Sequence, residues 1–282
     1  MTAYIQSCPA GCTAPLLSSN IVLAEGPLLC CAECGQLISQ CSAERYRQSM
    51  QEFDDPRGTQ PAANSGARRS LQSEKWLAKI SRLLAKPAPE IRLLDVGCSS
   101  GAFLASAREL GFIVEGVEPA AQAARSAIQS GLKVHAGTLH HANFSAQHFD
   151  AVTLFEVIEH IKEPLALLKE CRRILRPQGL MMIGTGNTAS WSAGFMQARW
   201  QYFQIDHHGG HVSFFNPRSM RLLAARCGFV LESVATRNVR FYEKSDAPAA
   251  LYRTAKITAE LLNFPAALFG KGHDMLIILR PR

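Results

Sequence analysis

From Ile91 to Gly184 short apolar runs alternate with amphipathic stretches, and this alternation constrains the fold more than any other feature. Strands are expected over Ile91–Val96, Ile113–Val117, Leu132–His135, Ala151–Phe155 and Leu180–Gly184. Between them, Ala102–Leu110, Ala120–Gln129 and Leu165–Leu175 read as helices. Short apolar strands separated by helices form parallel βαβ units, because a parallel strand needs a long crossover to return to the same edge. A helix (Pro217–Cys227), a strand (Val230–Thr236), a helical segment (Ala249–Leu262) and a last strand (Met275–Leu279) follow. The expected class is therefore α/β: a seven-stranded, mostly parallel sheet with helices on both faces, whose last two strands pair antiparallel. Ahead of the sheet, Leu71, Trp76, Ile80, Leu83 and Leu84 recur at helical spacing and end before Pro87.

The first strand runs into Asp95-Val96-Gly97-Cys98-Ser99-Ser100-Gly101, and a helix follows at once. A glycine-rich turn lets the backbone approach a ligand at the carboxyl edge of the sheet, where open α/β folds bind small molecules. The dinucleotide fingerprint would place glycines at Ser99 and Ala102, which weakens a nicotinamide reading. A tight strand–helix turn without a ligand is the rival, less favoured reading of the loop alone. Glu118, at the end of the second strand about 20 residues on, argues against it, since an acid there can accept both hydroxyls of a ribose.

The run LLDVGCSSG resembles the first motif of the class I, Rossmann-like S-adenosylmethionine-dependent methyltransferases, with Ser99 in place of the middle glycine. The resemblance implies that Gly97 and Gly101, with Cys98 and Ser99 between them, line the methionine end of the cofactor, which Asp95 orients. Glu118 matches the family's ribose-binding acid. Thr138 and Leu139 follow the third strand, where the family usually has an acid for the adenine, so Thr138 departs from the pattern. Phe155-Glu156-Val157-Ile158-Glu159-His160 looks like the segment that closes over the cofactor, and Leu175-Arg176-Pro177-Gln178-Gly179 like the turn before the fifth strand.

Nine cysteines in a chain of this length point to metal or buried thiols, and six of them fall within the first 41 residues. Cys8-Pro-Ala-Gly-Cys12 and Cys31-Ala-Glu-Cys34 make two short knuckles, each able to offer two thiolates to a tetrahedral zinc. Cys30 and Cys41 are alternates, and buried free cysteines are the plainer reading. Residues 1–43 are thus expected to form a zinc-ribbon-like module with a structural zinc, followed by a linker and helix over 44–88 and the methyltransferase domain over 89–282. The module contains no Lys or Arg, which argues against nucleic acid.

Two insertions, 187–216 and 241–272, are expected beside the site and should encode acceptor choice. The first carries Trp191, Trp200, Tyr202 and Phe203, read as walls of a pocket, and Asp206-His207-His208-Gly209-Gly210-His211. A hydroxyl acceptor must lose a proton, and His211 is the first candidate base, then His208 and His207, with Asp206 as orienter. Metal binding by these histidines, or loop histidines bonded to backbone, are the rival readings. In the second insertion Leu251, Ile257, Leu261 and Leu262 read as a core stripe or a lid.

A formal charge of +7, with scattered basic residues, mildly favours an acidic partner such as an anionic glycan. No apolar run reaches the roughly 18 residues of a membrane span, and the start lacks a secretory pattern, so a cytoplasmic setting is expected. The function expected is methyl transfer from S-adenosylmethionine to a small-molecule or saccharide-like acceptor, at oxygen. The alternatives are an adaptor binding nucleic acid or protein through the zinc module, and a methyltransferase acting on a lipid-quinone or a peptide.

Overall fold

A computed structural model describes residues 3–51, 66–205, 210–242 and 247–282. The chain opens with three antiparallel strands, β1 (Leu16–Leu23), β2 (Gly26–Cys31) and β3 (Leu37–Ile38). Helix α1 (Ala43–Met50) follows, where a linker was expected; Ser42 caps it by accepting from the Arg45 amide. Helix α2 (Gly66–Leu84) then leads into the main sheet.

The strands β4 (Arg92–Val96), β5 (Ile113–Glu118), β6 (Val134–Ala136), β7 (Phe149–Phe155) and β8 (Leu175–Gly186) are mutually parallel. Between them lie α3 (Ala102–Glu109), α4 (Ala121–Gln129), α5 (Leu139–Ala142) and α6 (Pro164–Ile174). After β8 come α7 (Trp191–Met196), the two-residue β9 (Ser213–Phe214), α8 (Pro217–Arg226), β10 (Phe229–Arg237), α9 (Ala249–Leu268) and β11 (Asp274–Pro281). The seven-stranded order is β10-β11-β8-β7-β4-β5-β6, with β11 antiparallel to both its neighbours.

Alternate residues of each central strand feed opposite cores, which is why these runs are continuously apolar. Leu94, Val96, Val152, Leu154, Met181 and Ile183 join α6 and α8 on one face. Leu93, Ala151, Leu180 and Met182 meet Leu77 and Ile80 of α2 on the other. At the amino end of β7 the buried Asp150 carboxylate accepts from Lys86 (2.7 Å), Arg176 (2.6 Å) and the Arg92 amide (2.9 Å), fixing where α2 and β4 enter the sheet.

The N-terminal module is joined to the main domain more closely than the sequence implied. Strand β3 pairs with β9, Leu37 opposite Phe214 and Ile38 opposite Ser213, so the small sheet runs β1-β2-β3-β9. The Ser39 amide donates to the Val212 carbonyl at 2.9 Å, and Asn216 Nδ2 to the Cys34 carbonyl at 3.1 Å.

Two expectations about the insertions fail. Trp200 and Phe203 line no pocket: both are buried, packed with Leu28, Ala193, Met196 and Phe214 between the small sheet and α7. Trp191 packs beneath α9 against Val239, Ala259 and Ala266. The stripe read as core or lid points outward instead, with Leu251, Ile257 and Leu261 exposed and only Leu262 half-buried. The cause is that α9 buries its small residues, Ala259 and Ala266, against the sheet edge. Among the described residues no helix is long and apolar enough to cross a membrane.

Candidate active site

The loop between β4 and α3 is built from left-handed backbone. Gly97 (φ +75°), Ser99 (φ +51°) and Gly101 (φ +85°) each turn it, and Gly101 caps α3. Side chains are excluded at both glycines: a Cβ on Gly97 would stand 2.4 Å from Val157 Cγ2, and one on Gly101 2.3 Å from Leu132 Cδ1. Ser99 occupies a conformation that costs a β-carbon strain, and its amide is held by Glu118 Oε2 at 2.8 Å. Glu118 Oε1 accepts from the Ala120 amide, also at 2.8 Å. The ribose-type acid and the glycine loop are therefore one hydrogen-bonded unit.

Beneath the loop, Asp95 is buried and accepts from Thr153 Oγ1 at 2.6 Å. Burial pushes its carboxyl up to about 7, against the lowering effect of that bond. The Cys98 thiol turns away into the packing of Leu104, Ala127 and Leu132, so only its backbone faces the loop side. Beyond β6, Leu139 is buried in the core, and Thr138 Oγ1 lies 2.9 Å from His141 Nδ1.

At the carboxyl end of β7 three half-buried rings form a wall that the sequence reading missed. Phe155 stacks on Trp76 of α2 (centroids 4.2 Å apart, planes 15° apart) and meets Phe103 of α3 edge-on at 5.1 Å. The only sequence signal was Trp76 within an apolar helical stripe, indistinguishable there from core. Gly184 on β8 makes room for the Phe155 ring, since a Cβ there would come within 2.9 Å of it.

The next residue, Glu156, has φ +54°, which swings it out of the strand, and its Oε2 accepts from Tyr202 Oη at 2.5 Å. Crowding by protein atoms pushes its carboxyl up to about 7, while the Tyr202 bond pulls it down. Its surface stays open to solvent, which softens that push. Behind it Glu159 is fully enclosed; burial and the charge of Glu156 hold its carboxyl well above the usual carboxylate range. Glu159 Oε2 accepts from Thr185 Oγ1 at 3.0 Å.

His211 belongs to the same cluster but lies below the surface. Its Nδ1 is 2.9 Å from the Tyr202 carbonyl, so Nδ1 carries the proton and donates, leaving Nε2 as the basic nitrogen. Nε2 lies 3.9 Å from Glu159 Oε1, and the ring stacks on Tyr202 and meets His160 edge-on. His207, His208 and Asp206 lie outside the described residues.

Two groups of side chains converge as cation ligands do. Cys8, Cys12, Cys31 and Cys34 bring four buried, free thiols within 4.8 Å of one another. Cys8 and Cys34 Sγ are 3.5 Å apart, against about 3.8 Å between thiolates of a regular zinc tetrahedron. The Cys34 thiol, bonded to Cys8, pulls the Cys8 thiol down to about 5 despite burial, so one thiolate is already favoured. Arg226 Nη1 donates to Cys12 Sγ (3.3 Å) and to the Ala10 carbonyl. Cys30 and Cys41 stand apart from this quartet. The second group is Glu159, His160 and His211, which supplies the acidic partner that the histidine-loop sequence did not show.

A seven-stranded sheet with a glycine loop after its first strand and an acid at the end of its second defines a Rossmann-like, S-adenosylmethionine-dependent methyltransferase. The methyltransferase domain family matches residues 67–234, and the chain belongs to it. The ubiquinone biosynthesis O-methyltransferase of Haemophilus ducreyi is 34% identical over 107 residues, 34% of this chain and 45% of that protein. The enzyme of the same name from Cereibacter sphaeroides is 35% identical over 138 residues, 45% of this chain and 56% of its own. The chain thus spans about half the length of these relatives. In fold it is similar to a SAM-dependent methyltransferase from Archaeoglobus fulgidus (TM-score 0.52, 18% identity, 74% of this chain and 94% of that one). It is also similar to geranyl diphosphate C-methyltransferase from Streptomyces coelicolor (TM-score 0.54, 16% identity, 86% and 99%).

Proposed function

We propose that the chain methylates a hydroxyl oxygen on a small aromatic acceptor of the quinone-precursor type rather than on a saccharide. The observation that carries this reading is Glu156, turned out of β7 beside the Trp76–Phe103–Phe155 wall and bonded to Tyr202. Phe155 stacks on Trp76 and the Arg237 guanidinium lies 5.1 Å over the indole, so the cluster offers its ring edges to a planar acceptor, and a carboxylate beside it suits the proton of a ring hydroxyl. The relatives named for ubiquinone biosynthesis O-methylation point the same way.

S-adenosylmethionine supplies a methyl group on a sulfonium, a carbon that an oxygen displaces directly while sulfur keeps the electron pair. Backbone at Gly97, Cys98, Ser99 and Gly101 holds its methionine end, with Asp95 beneath. Glu118 keeps its Ser99 and Ala120 amides and takes ribose hydroxyls on its remaining lone pairs, and Thr138 and Leu139 border the adenine. The ring wall positions the acceptor and excludes water. Glu156, its carboxyl raised by its surroundings, takes the acceptor's proton. His211 lies behind Tyr202, and in this reading it fixes Tyr202 through the Tyr202 carbonyl and stands as a positioning residue.

Cys8, Cys12, Cys31 and Cys34 hold a structural zinc in this reading, and nine free thiols suit a reducing, cytoplasmic setting. The test is transfer of labelled methyl groups into glycan, lipid, protein and RNA fractions of a host extract and into a simple catechol. Label in the catechol and the lipid-quinone fraction is expected, with kcat rising with pH through about 7. Glu156→Gln should lower kcat about 10²–10⁴-fold and flatten that rise. Label confined to glycan, or a Gln variant as fast as the parent, overturns the reading.

A further inference from the structure

Helix α9 presents its apolar side to solvent. Ile257, Leu261, Phe264 and Leu268, spaced 4, 3 and 4 residues apart, form one stripe and are 61%, 75%, 79% and 70% exposed. Phe269, just past the helix end, continues it at 67% exposure. A helix on a soluble domain turns such a stripe inward, and here the inward positions are the small Ala259 and Ala266. So contiguous an apolar surface marks a docking face.

From this stripe and its charged border we infer that α9 docks the protein onto an anionic lipid surface. Arg253 edges the stripe and Lys271 follows the helix, while Lys256 is paired at 3.9 Å with Glu260, the single acid on α9. An aromatic cluster lies at the base of the helix: exposed Phe195 meets Phe241 edge-on at 5.1 Å and Tyr242 at 5.6 Å. Phe241 packs beside Ala259 and Ala266, and Arg199 lies over the Tyr242 ring at 5.9 Å. Cations bordering an apolar stripe match the headgroup level of a bilayer. A second copy of the chain is a poorer occupant, because two-fold pairing would bring the Arg253 and Lys271 cations of both copies to one interface, with the single acid of α9 already paired to Lys256.

The topology adds a consequence. Helix α9 joins the end of β10 to the start of β11, and both lie at the carboxyl edge of the parallel strands. Asn187 Nδ2 donates to the Gly270 and Gly272 carbonyls at 3.1 and 2.9 Å, tying the end of the helix to the end of β8. Docking through α9 therefore turns the edge that carries Glu156 and the ring wall toward the lipid. The inference does not depend on the acceptor, since it concerns binding alone.

The test is flotation of the full chain with vesicles of phosphatidylcholine, alone or mixed with phosphatidylglycerol. The protein should float with the mixed vesicles, float at least about tenfold less with neutral ones, and be released by high salt. The double change Leu261→Asp and Phe264→Asp should abolish flotation yet leave the melting temperature and S-adenosylhomocysteine affinity unchanged, since both side chains are exposed. Failure of the parent chain to float, or equal flotation of the double variant, overturns the proposal. So does a concentration-dependent dimer that the double variant abolishes without any vesicle binding, which would assign the face to a second copy.

Discussion

Replacing Glu118 by Ala removes the side chain that shapes the glycine loop and, in the proposed complex, faces the ribose. Its two oxygens each accept a backbone amide at 2.8 Å, from Ser99 and Ala120. In the proposed complex the same oxygens take two hydroxyls. A hydrogen bond to a charged group contributes about 1.5 kcal/mol or more, so losing two costs about 3 kcal/mol of cofactor binding. At about 1.4 kcal/mol per factor of ten, the dissociation constant of S-adenosylhomocysteine should rise about 100-fold. Ser99 adds to the loss, because its left-handed backbone at φ +51° has no remaining side-chain clamp once the carboxylate is gone. Calorimetric titration reads this directly. Rates measured at saturating cofactor should fall far less, because Glu118 touches neither the methyl group nor the acceptor's proton. A dissociation constant within about threefold of the parent, in a variant with an intact melting transition, would refute the placement of the ribose and with it the geometry assigned to the loop.

Gly101→Ala should destabilise the fold by about 2–4 kcal/mol in urea unfolding, from left-handed strain at φ +85° plus a Cβ 2.3 Å from Leu132 Cδ1. Asp95 has a folded-state pKa raised to about 7. Its stabilising share is therefore complete below about pH 4 and lost as pH rises toward 7, and Asp95→Asn should remove roughly 2–4 kcal/mol of that pH dependence. Unfolding curves at pH 5 and pH 8 check it. If the four thiols hold zinc as proposed, elemental analysis should find it in the parent and not in Cys34→Ser, and the change should speed hydrogen exchange at the Ser39 amide, which donates to the Val212 carbonyl beside the β3–β9 pair.

The sheet was legible because its physics is local. Every central strand is an apolar run that must bury both faces, and each glycine or acid that breaks a run marks a strand end, as Gly97 and Glu118 do. The site was legible only where one chain segment supplies it. The loop from Asp95 to Gly101 and the acid at Glu118 are such segments, whereas the ring wall takes Trp76, Phe103 and Phe155 from three elements. Aromatic residues in the first insertion misled for a related reason: Trp200 and Phe203 have the composition of a pocket, but their neighbours across the small sheet make them core. The α9 stripe misled in the opposite sense, since periodicity shows that a helix has two faces without showing which one the fold covers.

Least legible was the relation between the two ends of the sequence. A cysteine module reads as an appendage, yet its third strand is completed by residues just past His211, more than 170 positions away. The links are continuous. Cys34 holds Asn216 through its carbonyl, β3 holds β9, and the Ser39 amide holds the Val212 carbonyl. The Val212 amide in turn donates to the Glu159 carbonyl at 2.9 Å, and Tyr46 of α1 donates to the His160 carbonyl at 3.0 Å. The thiol cluster thus fixes the underside of the segment that carries Glu156, Glu159 and His160. Thiol ligation there would rigidify the backbone on which Glu156 is mounted, so order in the module and order around Glu156 should rise and fall together.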